Sequence, residues 1–100
     1  MPKGYLVGEI EITDPAGYQE YSRNVPAIID KFGGRYHARG GDAQLLEGPG
    51  GPAKRVVVVE FDSPERLMAF YNSPEYQAIL PHRLNNSIGR VLCVAGYEPG

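Results

Sequence analysis

A four-stranded antiparallel sheet with two main helices on one face, an α+β fold, is what three observations in the sequence predict. Two segments carry apolar residues at helical spacing, each opened by a capping residue and a proline, and four segments are rich in β-formers. Their order is strand, helix, strand, then strand, helix, strand again. Two such halves joined through a hairpin make the split βαβ, or ferredoxin-like, βαββαβ arrangement. At 100 residues, 42% of them hydrophobic, the chain is expected to form one domain over residues 1–100. A domain of this size buries only about 60 to 65% of its unfolded surface, so it gains from a partner.

Taken in order, YLVGEIEI (5–12) alternates and reads as the first strand. Asp14 is a good N-cap and Pro15 suits the first helical position, where its missing N–H costs nothing. Tyr18, Tyr21, Val25, Ile28, Ile29 and Phe32 then form one apolar stripe. Pro26 is expected to kink or divide this helix, and Gly33-Gly34 to close it. RYHARGG (35–41) reads as a second strand and AQLLEG (43–48) as a short extended piece. GPGGP, Gly48 to Pro52, is a loop tip; without a Lys-Ser/Thr pair or a following helix it does not read as a phosphate cradle. RVVVVEF (55–61) is the most apolar strand. Ser63-Pro64-Glu65 repeats the cap, proline and dipole-facing acid, and Leu67, Met68, Phe70 and Tyr71 supply that helix's buried stripe. In YNSPEYQAILPHR (71–83) the device recurs as Ser73-Pro74-Glu75, predicting a short helix over 74–80 that Pro81 ends. The last strand is expected from about Gly89 to Tyr97.

A net charge of −2, from ten basic and twelve acidic residues spread along the chain, leaves no electrostatic footprint for nucleic acid or an anionic membrane. Met1-Pro2-Lys3-Gly4 leads straight into the first strand without the apolar run of a signal peptide or a membrane span, so the expected location is cytoplasmic. The single cysteine, Cys93, lies in an apolar run and reads as a buried structural thiol. Two histidines and no Cys pair or His-x-x-x-His spacing argue against a metal site.

Val56 to Val59 place valines on both faces of one strand, and Val91 to Ala95 do the same with aliphatic or small residues. Two helices cover one face only, so the second face is an apolar patch that wants cover. A homodimer through that sheet face about a two-fold axis is the economical answer. Glu9, Glu11 and Glu60 need partners wherever they are buried. Arg35, His37 and Arg39, expected on one face of the second strand, are candidates for that pairing.

Asp14-Pro15 with Tyr18 and Tyr21, Gly33-Gly34-Arg35, Arg39-Gly40-Gly41, Leu46-Glu47-Gly48, Val56 to Phe61, and above all Tyr71-Asn72-Ser73-Pro74-Glu75-Tyr76 with Arg83 resemble the domain of unknown function 1330 family, within the dimeric α+β barrel superfamily. The resemblance spans nearly the whole chain. It implies a ferredoxin-like subunit whose sheet pairs face to face with a second sheet, and a pocket between sheet and helices. Relatives in that superfamily include cofactor-free monooxygenases, haem-degrading enzymes, muconolactone isomerase-like enzymes and proteins without known activity, and fold analogy does not choose among them. The chain has no tryptophan and no match to the Asn, Trp and His set of the haem-degrading branch.

Two functional readings stay open: a cofactor-independent enzyme acting on a small organic molecule with an acidic or enolisable group, and a non-catalytic ligand-binding or structural homodimer. For the first, His37 is the candidate general base and Tyr21 a second proton carrier, because imidazole titrates near neutrality and a buried phenol wants a partner. Arg39 and Arg83 are candidates to hold an anion by charge-assisted hydrogen bonds; Tyr18 and Tyr71 are candidate ligand contacts. Each has a plainer reading: His37 or Arg39 neutralising a strand glutamate, Tyr18 and Tyr21 as packing, Arg83 as a dimer contact, and His82 as a surface residue. No cofactor is implied.

Overall fold

The computed structural model describes residues 2–51 and 54–99; the expected role of Pro52 in the loop tip lies outside them. Four strands, β1 (Gly4–Ile12), β2 (Arg35–Arg39), β3 (Arg55–Phe61) and β4 (Ser87–Ala95), form one antiparallel sheet in the order β2-β3-β1-β4. The helices are α1 (Pro15–Lys31), α2 (Pro64–Tyr71) and α3 (Pro74–Leu84). This is the ferredoxin-like order read from the sequence, with the second helical segment broken in two.

The sheet is not a barrel. It is open, with β2 and β4 each paired on one side only, which corrects the barrel implied by the resemblance. Four strands do not close on themselves: about eight are needed before the interior is wide enough to fill with side chains.

All three helices start on the proline device. Asp14 Oδ1 accepts from the backbone N–H groups of Ala16 and Gly17, Ser63 Oγ from that of Arg66, and Ser73 Oγ from that of Tyr76, so each cap satisfies orphan donors of a first turn. The C-terminus of α1 is a Schellman closure. Gly34 N–H donates to Ile29 O and Gly33 N–H to Asp30 O, with Gly33 at a φ of 78° that only glycine takes without strain.

Three local expectations are corrected, at Pro26, Pro81 and Cys93. α1 runs unbroken through Pro26, and α3 runs through Pro81 to Leu84. In α3 the turn after Pro81 is rebuilt by Asn85 N–H donating to Pro81 O, and the apolar contacts of Tyr76 and Leu80 in the preceding turns hold the helix to the core. Proline there removes one bond without ending the helix. The piece over 43–48 joins no strand of the sheet, and its Leu45 and Leu46 are exposed. Cys93 is exposed rather than buried: it lies on an edge strand that the helices reach only in part.

Helices and sheet enclose a core of Leu6, Val25, Ile29, Val59, Phe61, Leu67, Phe70, Tyr76 and Leu80. On the sheet, Leu6, Ile10, Val57, Val59 and Phe61 point to the helices. The residues that alternate with them, Tyr5, Val7, Val56 and Val58, together with Ile88, Leu92 and Val94 of β4, form the opposite face. Leu92 is 45% and Ile88 62% exposed there.

A β-bulge in β2 decides where three candidate residues go. Tyr36 pairs with Val59, but Ala38, not His37, pairs with Val58, and Arg39 then pairs with Val57. The extra residue reverses the alternation downstream. Arg35 and His37 therefore stand on the open face beside Glu60, while Arg39 turns to the helices. The expectation that all three share one face is overturned by this register shift.

Candidate functional site

Between α1, α3 and the sheet lies a cavity of about 40 Å³. Its floor is apolar, from Leu6, Ile10, Val57 and Val59, and its polar rim comes from Tyr18, Tyr21, Tyr36, Arg39, Arg55 and Arg83. Helical spacing brings Tyr18 and Tyr21 to one face of α1. Continuation of α3 past Pro81 swings Arg83 inward, where it is 6% exposed.

The Tyr21 hydroxyl lies 2.8 Å from the Tyr76 hydroxyl, and the Arg83 guanidinium carbon sits 5.6 Å from the centre of the Tyr21 ring, a cation–π arrangement. Ring contacts extend the set through Tyr18 to Tyr21 at 5.5 Å and Tyr76 to Phe70 at 4.5 Å. Burial, reinforced by the neighbouring Tyr76, pushes the Tyr21 phenol far above its ordinary value. Near neutral pH it is a hydrogen-bond donor and not a phenolate base. Burial also raises the phenols of Tyr18 and Tyr36, against the lowering influence of nearby arginines. Arg39 Nη2 donates to Ser22 O at 2.7 Å, and its guanidinium stacks 5.0 Å from the Tyr36 ring centre. Arg55 Nε and Arg83 Nε are buried and, among the described residues, have no hydrogen-bond acceptor. No aspartate or glutamate lines the cavity among the described residues.

The fold thus gathers Tyr18, Tyr21, Arg39 and Arg83 at one place. It does not bring His37 or Tyr71 there. His37 Nε2 lies 3.1 Å from Glu60 Oε1 on the opposite face, with the Arg35 guanidinium on the other carboxylate oxygen and the Tyr5 hydroxyl 3.4 Å from Oε1. Arg35 first, and then His37, hold the Glu60 carboxyl below its ordinary value. Tyr71 borders a separate shallow groove with Leu67, Met68 and Cys93 and meets the cavity only through its ring contact with Tyr76. Sequence reasoning missed Arg55, Tyr36 and Tyr76. For Arg55 a signal existed: it shares strand parity with Val57, Val59 and Phe61, so it points into the same interior. Among the described residues no group of three His, Cys, Asp or Glu side chains is placed to hold a metal ion. No helix among them is long and apolar enough to cross a membrane.

Comparison with known proteins defines the class. The chain belongs to the family described as Domain of unknown function (DUF1330), which it matches over residues 3–97. Its fold is similar to that of a protein of unknown function from Rhodopseudomonas palustris, with a TM-score of 0.77 at 17% identity over 98% of this chain and 85% of the other. It is also similar to SnoaB, a cofactor-independent oxygenase from Streptomyces nogalater, with a TM-score of 0.64 at 10% identity over 99% of this chain and 97% of the other. In sequence it is 29% identical, over 93% of its length, to part of the nonribosomal peptide synthetase acyN of Ascocoryne sarcoides, and it spans 12% of that protein. At these identities the structural likenesses establish the fold.

Proposed function

We propose that this chain binds a small, partly apolar organic molecule bearing an acidic or enolisable group in the cavity between helices and sheet. The observation that carries this reading is the convergence of tyrosine hydroxyls and guanidinium groups on an apolar floor, with two buried guanidine N–H groups lacking acceptors. As a cofactor-independent enzyme, the protein uses Arg83 and Arg39 to hold an oxyanion as charge develops on it, and Tyr21 to donate a hydrogen bond or a proton to that oxygen. SnoaB, which shares the fold, is a precedent for cofactor-independent chemistry on such a scaffold. Among the described residues the rim holds no imidazole or carboxylate to act as a general base, which favours a second reading in which the protein shelters its ligand without turning it over. In either case the subunit acts as a homodimer through the open sheet face, whose Ile88, Leu92 and Val94 are exposed.

The test is a fragment screen by ligand-observed NMR against wild type, Arg39→Ala and Arg83→Ala, followed by turnover assays on the hits. Binding that both substitutions abolish supports the site; unchanged affinity in both removes it. Turnover of a bound hit separates enzyme from binding protein.

A further inference from the structure

Arg55 sets the cavity apart from an ordinary packing defect. Its side chain borders the enclosed space and also two open grooves, one along α1 with Ile12, Pro15 and Gln19, the other with Glu11, Gly40 and Lys54. It is seated by Gly40, which has a φ of 71° and lies so close that a Cβ there would fall 2.0 Å from the Arg55 guanidinium. Tyr18 is within electrostatic reach of both Arg55 and Arg83 and has Arg55 as a hydrogen-bonding neighbour, so the two guanidinium groups address the same part of the cavity. Three arginines face an acid-free rim in a protein whose overall charge is −2. Like charges gathered beside an apolar floor repel one another unless an anion joins them. Arg39 already has Ser22 O and the Tyr36 ring; the donors left over are the buried Nε–H groups of Arg55 and Arg83.

We propose that the cavity takes a short-chain monocarboxylate whose two oxygens accept from the buried guanidine N–H groups of Arg55 and Arg83, and that Arg55 is the movable wall past which it enters. Two oxygens match two orphan donors, and the apolar floor receives the hydrocarbon chain. A space of 40 Å³ holds only about three waters, so a longer acid fits only when Arg55 swings toward the groove along α1 and joins the two spaces. Arg55 is a flexible side chain on a strand end, and that swing leaves the fold intact.

This assignment rests on the proposed ligand pocket, and its test separates the two. Thermal shift and calorimetry on the full chain at fixed ionic strength compare acetate, propionate, butyrate and benzoate with the matching amides and with inorganic phosphate. Saturable stabilisation by the carboxylates alone is expected. Arg55→Gln weakens it by about tenfold or more, and Gly40→Ala, which displaces the guanidinium without removing it, also weakens it. Amides that bind as well as the acids, phosphate that binds better than either, or an Arg55→Gln variant of wild-type affinity overturns the carboxylate assignment while leaving a small-molecule pocket standing. Absence of binding by acids and amides, with no hit in the fragment screen, overturns both.

Discussion

The hydroxyls of Tyr21 and Tyr76 lie 2.8 Å apart in the interior of the protein, joining α1 to α3 across the edge of the cavity. Each is the other's partner, with the Arg83 guanidinium beside both, so truncating one takes a partner from a largely buried hydroxyl. Tyr21→Phe and Tyr76→Phe should each cost about 1 to 3 kcal/mol in urea denaturation, and the double variant should cost less than their sum. Strict additivity would show that the contact contributes nothing.

Arg83 is a buried cation that has Tyr21 and Tyr76 beside its guanidinium and, among the described residues, no carboxylate partner. Arg83→Met keeps the length of the side chain and removes the desolvated charge, so the variant should be as stable as wild type or more so. Ligand binding should be lost in the same variant. Destabilisation of more than about 2 kcal/mol in Arg83→Met would place Arg83 among the residues that hold the fold.

The open sheet face offers a sharper test of association. Leu92 and Val94 are exposed there, so wild type should sediment as a dimer at micromolar concentration and Leu92→Glu as a folded monomer with an unchanged far-UV spectrum. A wild-type monomer, or a dimer indifferent to this charge, removes the sheet-face interface.

Glu60 links that face to pH. Hydrogen bonds from Arg35 and then His37 hold its carboxyl below the ordinary value of 4.5. A depressed folded-state value contributes stability that is present above the unfolded value and lost as pH falls through the folded one. Wild type should therefore lose melting temperature more steeply than Glu60→Gln on acidification from about pH 5 to 3, and added salt should shrink the difference because the cluster is partly solvated. Parallel profiles would show that the cluster contributes nothing to folding.

Much of this architecture can be read from local chemistry. Asp14-Pro15, Ser63-Pro64 and Ser73-Pro74 mark three helix starts because a capping oxygen and a proline each act within one turn. The β-rich segments are similarly self-announcing. What escaped depends on contacts distant in sequence. Pro81 looked like a stop, but burial of Tyr76 and Leu80 outweighs one lost backbone bond. Cys93 looked buried because its neighbours are apolar, yet edge-strand position decides its exposure. Arg55 looked like the polar end of a valine strand until its parity with Phe61 placed it over the cavity floor. The barrel came from likeness to a superfamily, and strand pairing within this chain overturns it.

The bulge at His37 makes the side of the sheet that Arg39 serves a matter of pairing. Ironing out the bulge at constant chain length would pair His37 with Val58 and carry Arg39 to the opposite side of the sheet, whereas deleting His37 would restore simple alternation and leave Arg39 facing the helices. In such a fold, the charge of the cavity depends on how a strand is paired as well as on which side chains it carries. An arginine at this position reaches the cavity only while the pairing that turns it inward is kept.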